Sequence, residues 1–333
     1  RKSRGLGDVY KRQIINVNNN CSTGSTALYL ARQAIESGAS DCVLALGFEQ
    51  MRPGALGDIY TDRPSPFGEF NETCEQLVGN SEIPLALRYF GGAGKSHMDK
   101  YGTTMKDFAK IRAKASRHAA KNPLALFKKE VSEEEVLESP IMWPGVMTRL
   151  MACPPTCGGA AAILVSENFA YKNNIDSSVR ILAQSMTTDY ESTFADRDMM
   201  QLVGYDMSKE AAKNVYNQAG VDVQDIDVVE LHDCFAHNEL ITYEALGLCN
   251  EGEAQKFVSD GDNTFGGKFV TNPSGGLLSK GHPLGATGLA QCFELTQQLR
   301  GNAGEKQVEG AKTALQHNLG LGGACVTTLY QSV

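Results

Sequence analysis

Three short stretches carry side chains suited to making and breaking bonds. The first is Asn18-Asn19-Asn20-Cys21-Ser22-Thr23-Gly24-Ser25, with a thiol placed between an apolar run and an Ala/Leu-rich one. The second is His232-Asp233-Cys234-Phe235, and the third is Ser279-Lys280-Gly281-His282-Pro283. A thiol attacks as its thiolate, and only a few per cent of a free one is ionised at neutral pH, so Cys21 needs a base. Histidine supplies one near its ordinary pKa. Cys234 follows His232 by two positions and is a second acid/base candidate. Gly320-Leu321-Gly322-Gly323 offers bare backbone amides for an oxyanion. Each signal alone has a plainer reading. A free cysteine is often a small buried hydrophobe, a strand-end histidine is often a hydrogen-bonded structural residue, and Gly-His-Pro is also a turn before a helix. Cys153-Pro154-Pro155-Thr156-Cys157 has the spacing of half a zinc site, but no second ligand pair matches it, so no metal is assigned.

The elements that must hold these residues follow from the apolar pattern. Residues 14–17 (IINV) read as a buried strand and 26–37 as a helix stopped by Gly38. Cys21 then sits at a strand-to-helix turn, where free N–H groups and the helix dipole favour a thiolate. A second strand is expected at 41–47. From 51 to 155 prolines and glycines interrupt the apolar runs, and short helices such as 105–118 stand between loops, the texture of an insertion that carries substrate contacts. Residues 95–129 hold ten Lys/Arg against Asp99 and Asp107, which suits a polyanionic ligand such as a nucleotide phosphate, or else a solvated helix face. Strands resume at 158–165, 179–183, 227–231, 268–271, 312–317 and 324–329, with helices at 208–218, 238–246 and 284–299. Strand, polar loop with a reactive side chain, Ala/Leu-rich helix, strand: this order occurs around Cys21 and again around His282. It implies a duplicated α/β unit with buried sheets covered by helices. The second unit has strands and a helix before its reactive loop and the first does not, so the first half reads as N-terminally truncated.

At 333 residues, with 42% hydrophobic residues and 34 glycines, the chain has ample core for one large domain or two ordinary ones. A net charge of −8 argues against a general nucleic-acid binder. Nine scattered cysteines without framework spacing or a secretory signal point to a reducing compartment. No apolar run approaches the ~18 residues of a membrane span. Residues 1–13 are basic and non-periodic, with five of the 31 Lys/Arg and one of the 39 acids, and read as a non-native or disordered arm.

Together the motifs resemble the thiolases, and among them the sterol-carrier type. Cys21 in NNNCSTGS matches the family's nucleophile loop and His282 in NPSGGLLSKGHPLGATG its base loop. HDCF at 232–235 matches the variant of that type, where ordinary thiolases have Asn-Glu-Ala-Phe. Gly320 holds the place of the ordinary second cysteine, whose acid/base role the resemblance gives to Cys234. It covers the chain from about residue 14 to the C-terminus and implies the layered α-β-α-β-α fold of two similar halves. The first half would span 14–177, including a loop domain at 51–155, and the second 178–333. It further implies a homodimer that cleaves 3-ketoacyl-CoA, 2-methyl-branched substrates included, through an acyl-Cys21 intermediate. Cys21, His232, Cys234 and His282 would be catalytic. The enolate oxygen would be met by His232 and His282, and the tetrahedral oxygen by the N–H groups of Cys21 and Gly322. Coenzyme A enters as a substrate, and no cofactor or metal is expected. Location would be peroxisomal by resemblance, although the chain ends Gln331-Ser332-Val333 without a Ser-Lys-Leu tail; otherwise it would be cytoplasmic. A Cys-His-His condensing synthase shares the fold but has no use for Cys234. A Cys-His hydrolase would not need the His232/Cys234 pair. A non-catalytic acyl-CoA-binding fragment is the alternative of a different class.

Overall fold

The structure, a computed structural model, describes residues 13–52, 62–79 and 82–333. The arm expected at 1–13 lies outside them except for Gln13. The chain runs α1 (Thr23–Glu36), β1 (Cys42–Glu49), α2 (Gly68–Val78), α3 (Leu85–Tyr101), α4 (Met105–Ala120), α5 (Glu133–Glu138), β2 (Ile141–Trp143), β3 (Met147–Thr148), β4 (Gly158–Val165) and α6 (Glu167–Asn173). It continues through β5 (Val179–Thr187), α7 (Ser192–Ala195), α8 (Met199–Leu202), α9 (Tyr205–Ala219), β6 (Val228–Glu230), α10 (Ala236–Ala245) and α11 (Ala254–Ser259). It closes with β7 (Val270–Thr271), α12 (Gly276–Ser279), α13 (Thr287–Leu299), β8 (Thr313–Gly320) and β9 (Ala324–Ser332).

Two sheets enclose a pair of helices. β1 and β4 pair antiparallel, Cys42 opposite Val165 through Glu49 opposite Gly158. The second sheet has the order β5-β9-β8-β6-β7, antiparallel from β5 to β8 and parallel from β8 to β7. Between them lie α1 and α13, whose Leu28, Ala31, Leu289, Cys292 and Leu295 share one core with Ala45 of β1, Val228 of β6 and Ala314 of β8. On the far side of the larger sheet, α9 and α10 join the main core. The outer face of the smaller sheet is bare among the described residues: Leu44, Leu46, Phe48 and Ile163 are 48–73% exposed. No helix among those residues is long and apolar enough to cross a membrane.

Two expectations are corrected. Residues 14–17 form no strand, and Ile15 is 79% exposed. An apolar run becomes a strand only beside a partner that takes its hydrogen bonds, and none among the described residues pairs with it. The insertion at 51–155 also holds long helices, of which α3 was hidden by Gly91, Gly92 and Gly94. These glycines serve packing, because a Cβ on them would lie 2.9 Å from Trp143, 2.9 Å from Met199 and 2.3 Å from His237.

The crossing of α1 over α13 is closer than side chains normally permit. A Cβ on Gly24 would lie 3.1 Å from the Gly285 carbonyl and the Leu289 amide, and one on Gly288 would lie 2.1 Å from Ser25 Oγ. Gly288→Ala is therefore expected to cost about 3 kcal/mol by overpacking, read as a lowered urea midpoint at unchanged slope. Gly68→Ala, at the open start of α2 with nothing near its added methyl, should leave stability unchanged within about 1 kcal/mol.

Candidate active site

Cys21 precedes α1 on a loop that its asparagines shape. Asn20 takes a left-handed φ of 49°, which Asn tolerates better than most residues. Its side-chain amide donates to the Leu321 carbonyl at 2.8 Å, and the Asn19 amide side chain donates to Thr26 Oγ1 at 3.0 Å. The nucleophile loop is thus sewn to its own helix and to the turn between β8 and β9. That turn cannot hold the ordinary second cysteine, since a Cβ on Gly320 would lie 2.1 Å from the Asn19 carbonyl.

His282 enters from the other side, ahead of α13. Its backbone N–H donates to Thr156 Oγ1 at 3.1 Å. Its Nδ1 lies 2.7 Å from Thr287 Oγ1, whose own proton goes to the Pro283 carbonyl at 3.1 Å. Thr287 must therefore accept from Nδ1–H, which leaves a bare lone pair on Nε2. That atom is buried and has no hydrogen-bond partner.

His232 follows β6 and is held in the opposite tautomer. Gln316 Nε2 donates to Ser25 Oγ at 2.8 Å, and Ser25 donates to Asn318 Oδ1 at 2.8 Å. The Asn318 amide nitrogen then faces His232 Nδ1 at 3.0 Å. An amide NH₂ can only donate, so Nδ1 accepts and the proton resides on Nε2. The Cys21 sulfur and one ring nitrogen from each histidine lie within 4.8 Å of one another, and the two rings meet edge to face at 5.0 Å. This is the one set among the described residues whose donor atoms could close on a metal ion. His232, however, turns an N–H rather than a lone pair outward, which suits proton handling better than ligation.

Cys234 is buried, and Cys153 joins it across a short strand contact. Ala152 bridges Phe235, and the Cys153 N–H donates to the Cys234 carbonyl at 2.9 Å. Burial pushes the Cys234 thiol up, and the nearby Cys153 and Cys21 sulfurs add to the shift. Thr287 falls within the 272–288 base-loop motif and Thr156 between Cys153 and Cys157, yet neither is marked there as a partner of His282, and Asn318 lies outside every motif. Of the two amides expected to meet the tetrahedral oxygen, Cys21 heads α1, while Gly322 lies in the β8–β9 turn with φ 87°. Two of the ten cations at 95–129 turn inward and the others stay at the surface. Arg112 and Lys114 are buried, Lys114 on Glu239 and Thr271, while Lys95, Lys100 and Lys129 pair with Asp99, Glu251 and Glu135.

Burial decides the charge state. It pushes the Cys21 thiol up to about 12, reinforced by the Glu49 carboxylate and opposed by the residue's own N–H. It lowers His282 to about 3. Burial thus works against the pull of the helix N-terminus and favours a neutral thiol beside a neutral imidazole in the unliganded site. Iodoacetamide alkylation of the Cys21 peptide should accelerate about tenfold per pH unit between pH 7 and 10. A plateau near neutrality would mean a thiolate–imidazolium pair instead.

The same burial sets acid stability. His118, His237, His282 and His317 are held neutral to about 3, 4, 3 and 3, and His232 is lowered as well. An unfolded chain protonates each near 6.5. From pH 6.5 down to about 4 the unfolded state therefore binds more protons, and each histidine removes up to about 1.4 kcal/mol per pH unit. Two buried carboxyls oppose this: burial raises Asp233 to about 8 and raises Glu230. With five groups against two, circular dichroism should show unfolding that begins below pH ~6. Retention of the fold at pH 4 would contradict this balance.

Comparison with known proteins agrees with this geometry. Residues 4–137 match the thiolase N-terminal domain and residues 188–330 the thiolase C-terminal domain-like family. The chain is 57% identical to sterol carrier protein 2 of Oryctolagus cuniculus over 320 residues, 96% of this chain and 58% of that protein. It thus spans somewhat over half the length of that relative. It is 34% identical to an acetyl-CoA acetyltransferase of Methanothermobacter thermautotrophicus over 300 residues, 90% of this chain and 75% of that protein. The crystal structure of the dimeric peroxisomal thiolase of Saccharomyces cerevisiae shares the fold, with a TM-score of 0.70 at 20% identity over 97% of this chain and 77% of that one. Motifs, layers and matched domains agree: the chain belongs to the thiolase family of acyltransferases.

Proposed function

We propose that the protein cleaves 3-ketoacyl-CoA with coenzyme A, giving a shortened acyl-CoA and acetyl- or propionyl-CoA. The observation that carries this reading is the pair of opposite tautomers around Cys21, a bare Nε2 on His282 and an N–H on His232. One histidine is set to take a proton and the other to stabilise negative charge.

Cys21 Sγ attacks the 3-keto carbon as its proton passes to His282 Nε2, and charge gathers on the keto oxygen, met by the Cys21 and Gly322 amides. Because thiol and imidazole both rest neutral, the proton moves only when that oxygen can take up the charge. The C2–C3 bond then breaks, its electron pair moving into the enolate of the departing thioester, and Cys21 keeps the acyl group. The enolate oxygen is held by the N–H of His232 and by His282, which now carries the Cys21 proton. Cys234 donates a proton to the enolate carbon, then removes one from the incoming CoA thiol, whose sulfur attacks the acyl carbon; the bond to Cys21 Sγ breaks, and Cys21 regains its proton from His282. Each oxyanion donor is worth ~3 kcal/mol of barrier. The exposed cations of 95–129 are the expected contacts for the CoA phosphates. A homodimer, a peroxisomal setting and acceptance of 2-methyl-branched chains belong to the same proposal, as does the absence of any cofactor requirement. A condensing synthase would leave Cys234 without a task.

Incubation with acetoacetyl-CoA should acetylate the Cys21 peptide in the native chain and not in Cys21→Ala, with release by added CoA. Cys234→Ala should slow both steps by about 10²–10³-fold. A folded chain that never carries an acetyl group would overturn the reading in favour of a non-catalytic acyl-CoA binder.

A further inference from the structure

Between the histidine and the cysteine of the HDCF stretch stands a buried residue with no task so far. Asp233 Oδ1 accepts the Leu277 N–H at 2.7 Å, and its Oδ2 accepts the Leu278 N–H at 3.3 Å. These amides belong to α12, which runs directly into Lys280-Gly281-His282. Gly276 closes over the carboxylate so tightly that a Cβ there would lie 2.0 Å from Oδ2, in a backbone with φ 59°. Ser279, at the end of the same turn, accepts from the Arg112 guanidinium at 2.8 Å. Arg112 is buried on α4, and that burial lowers its guanidinium to about 10, with Asp233 opposing the shift.

The segment from Gly275 to Gly281 contains three glycines at positive φ, 95°, 59° and 114°. Glycines at such angles stiffen nothing by themselves, so the height at which His282 approaches Cys21 must come from what grips the turn. Thr156 and Thr287 grip it at His282 itself. On its N-terminal side Glu230 accepts from the Ser274 N–H and hydroxyl, the Phe127 and Leu126 amides donate to the Ser279 and Lys280 carbonyls, and Asp233 accepts from Leu277 and Leu278. Of these residues Asp233 is the one that stands between His232 and Cys234, so its two hydrogen bonds index the His282 loop directly against the loop that carries them.

We propose that Asp233 is a positioning residue, whose carboxyl group, seated on the amides of Leu277 and Leu278, sets the reach of His282 Nε2 to Cys21. A purely structural Asp233 would alter stability alone, whereas a positioning one acts through His282. A double-mutant cycle separates the two. Acetylation of the Cys21 peptide by p-nitrophenyl acetate, whose carbonyl oxygen takes up the charge as Sγ attacks and p-nitrophenolate leaves, is measured at fixed pH in the native chain, Asp233→Asn, His282→Asn and the double variant. Asp233→Asn should slow acetylation about tenfold in the native background and leave it unchanged once His282 is gone. Where native turnover is detected, the rate of Cys21 acetylation by acetoacetyl-CoA should fall about 100-fold with half-saturating acetoacetyl-CoA changed less than threefold. Should Asp233→Asn not fold, Ser279→Ala, which removes only the Arg112 grip on the turn, is read in the same cycle. Equal slowing with and without His282, or native acetylation rates in the variant, would overturn the proposal. The p-nitrophenyl acetate arm uses no acyl-CoA, so it judges Asp233 even if the native chain never accepts an acetyl group from acetoacetyl-CoA and the thiolase reading fails.

Discussion

Where α1 passes α13, hydrogen atoms take the place of side chains at Gly24 and Gly288, and Ser25 bonds Asn318 of the strand behind them. The rest of the site depends on this contact. Each helix begins beside a reactive residue, so bringing the two N-termini together brings Cys21 and His282 together. The contact also buries the Gln316–Ser25–Asn318 chain that fixes the tautomer of His232. A larger residue at Gly288 would part the helices and break that chain in one step. Packing and proton placement are here a single constraint.

The electrostatics follow from the same burial. A helix N-terminus favours an anion by up to ~2 kcal/mol in partly buried geometry, and taking a thiolate out of water costs more than that. Cys21 therefore rests protonated. This separates the site from thiol enzymes that rest as ion pairs. Charge would appear only once a substrate oxygen sits in position to receive it, and a site that stays uncharged until then has little tendency to react with chance electrophiles. Deep desolvation thus serves selectivity at the expense of resting nucleophilicity.

Much of this was legible in the sequence because it is written in contiguous runs. The Cys21, HDCF and Gly-His-Pro loops each stand beside an apolar strand or helix pattern, and their order alone points to the duplicated architecture. What was not legible depends on contacts between distant segments. The glycines of α3 look like breakers until Trp143, Met199 and His237 are seen to need the space. Residues 14–17 look like a strand because periodicity cannot tell whether a partner exists. Asn318 and Thr287 are ordinary residues in their own stretches, and only the direction of hydrogen bonds across the fold gives them meaning. Two of the ten cations at 95–129 turn inward for a related reason, since sequence does not reveal that Glu239 lies behind Lys114.

The proposed exchange of acid/base positions has a steric logic. In this chain the nucleophile loop presses into the space beside Gly320, with the Asn19 carbonyl and Ser22 Oγ where a cysteine side chain would stand. A thiol there is excluded unless the loop that carries Cys21 retreats, and that loop is anchored by Asn20 to the same turn. The second thiol must then reach the chamber from another wall, and the contact of Ala152 with Phe235 supplies it, carrying Cys234 and Cys153 in together. Glycine at 320 and cysteine at 234 are therefore two parts of one arrangement. Restoring a cysteine at 320 alone would force the Cys21 loop outward before it could contribute a proton.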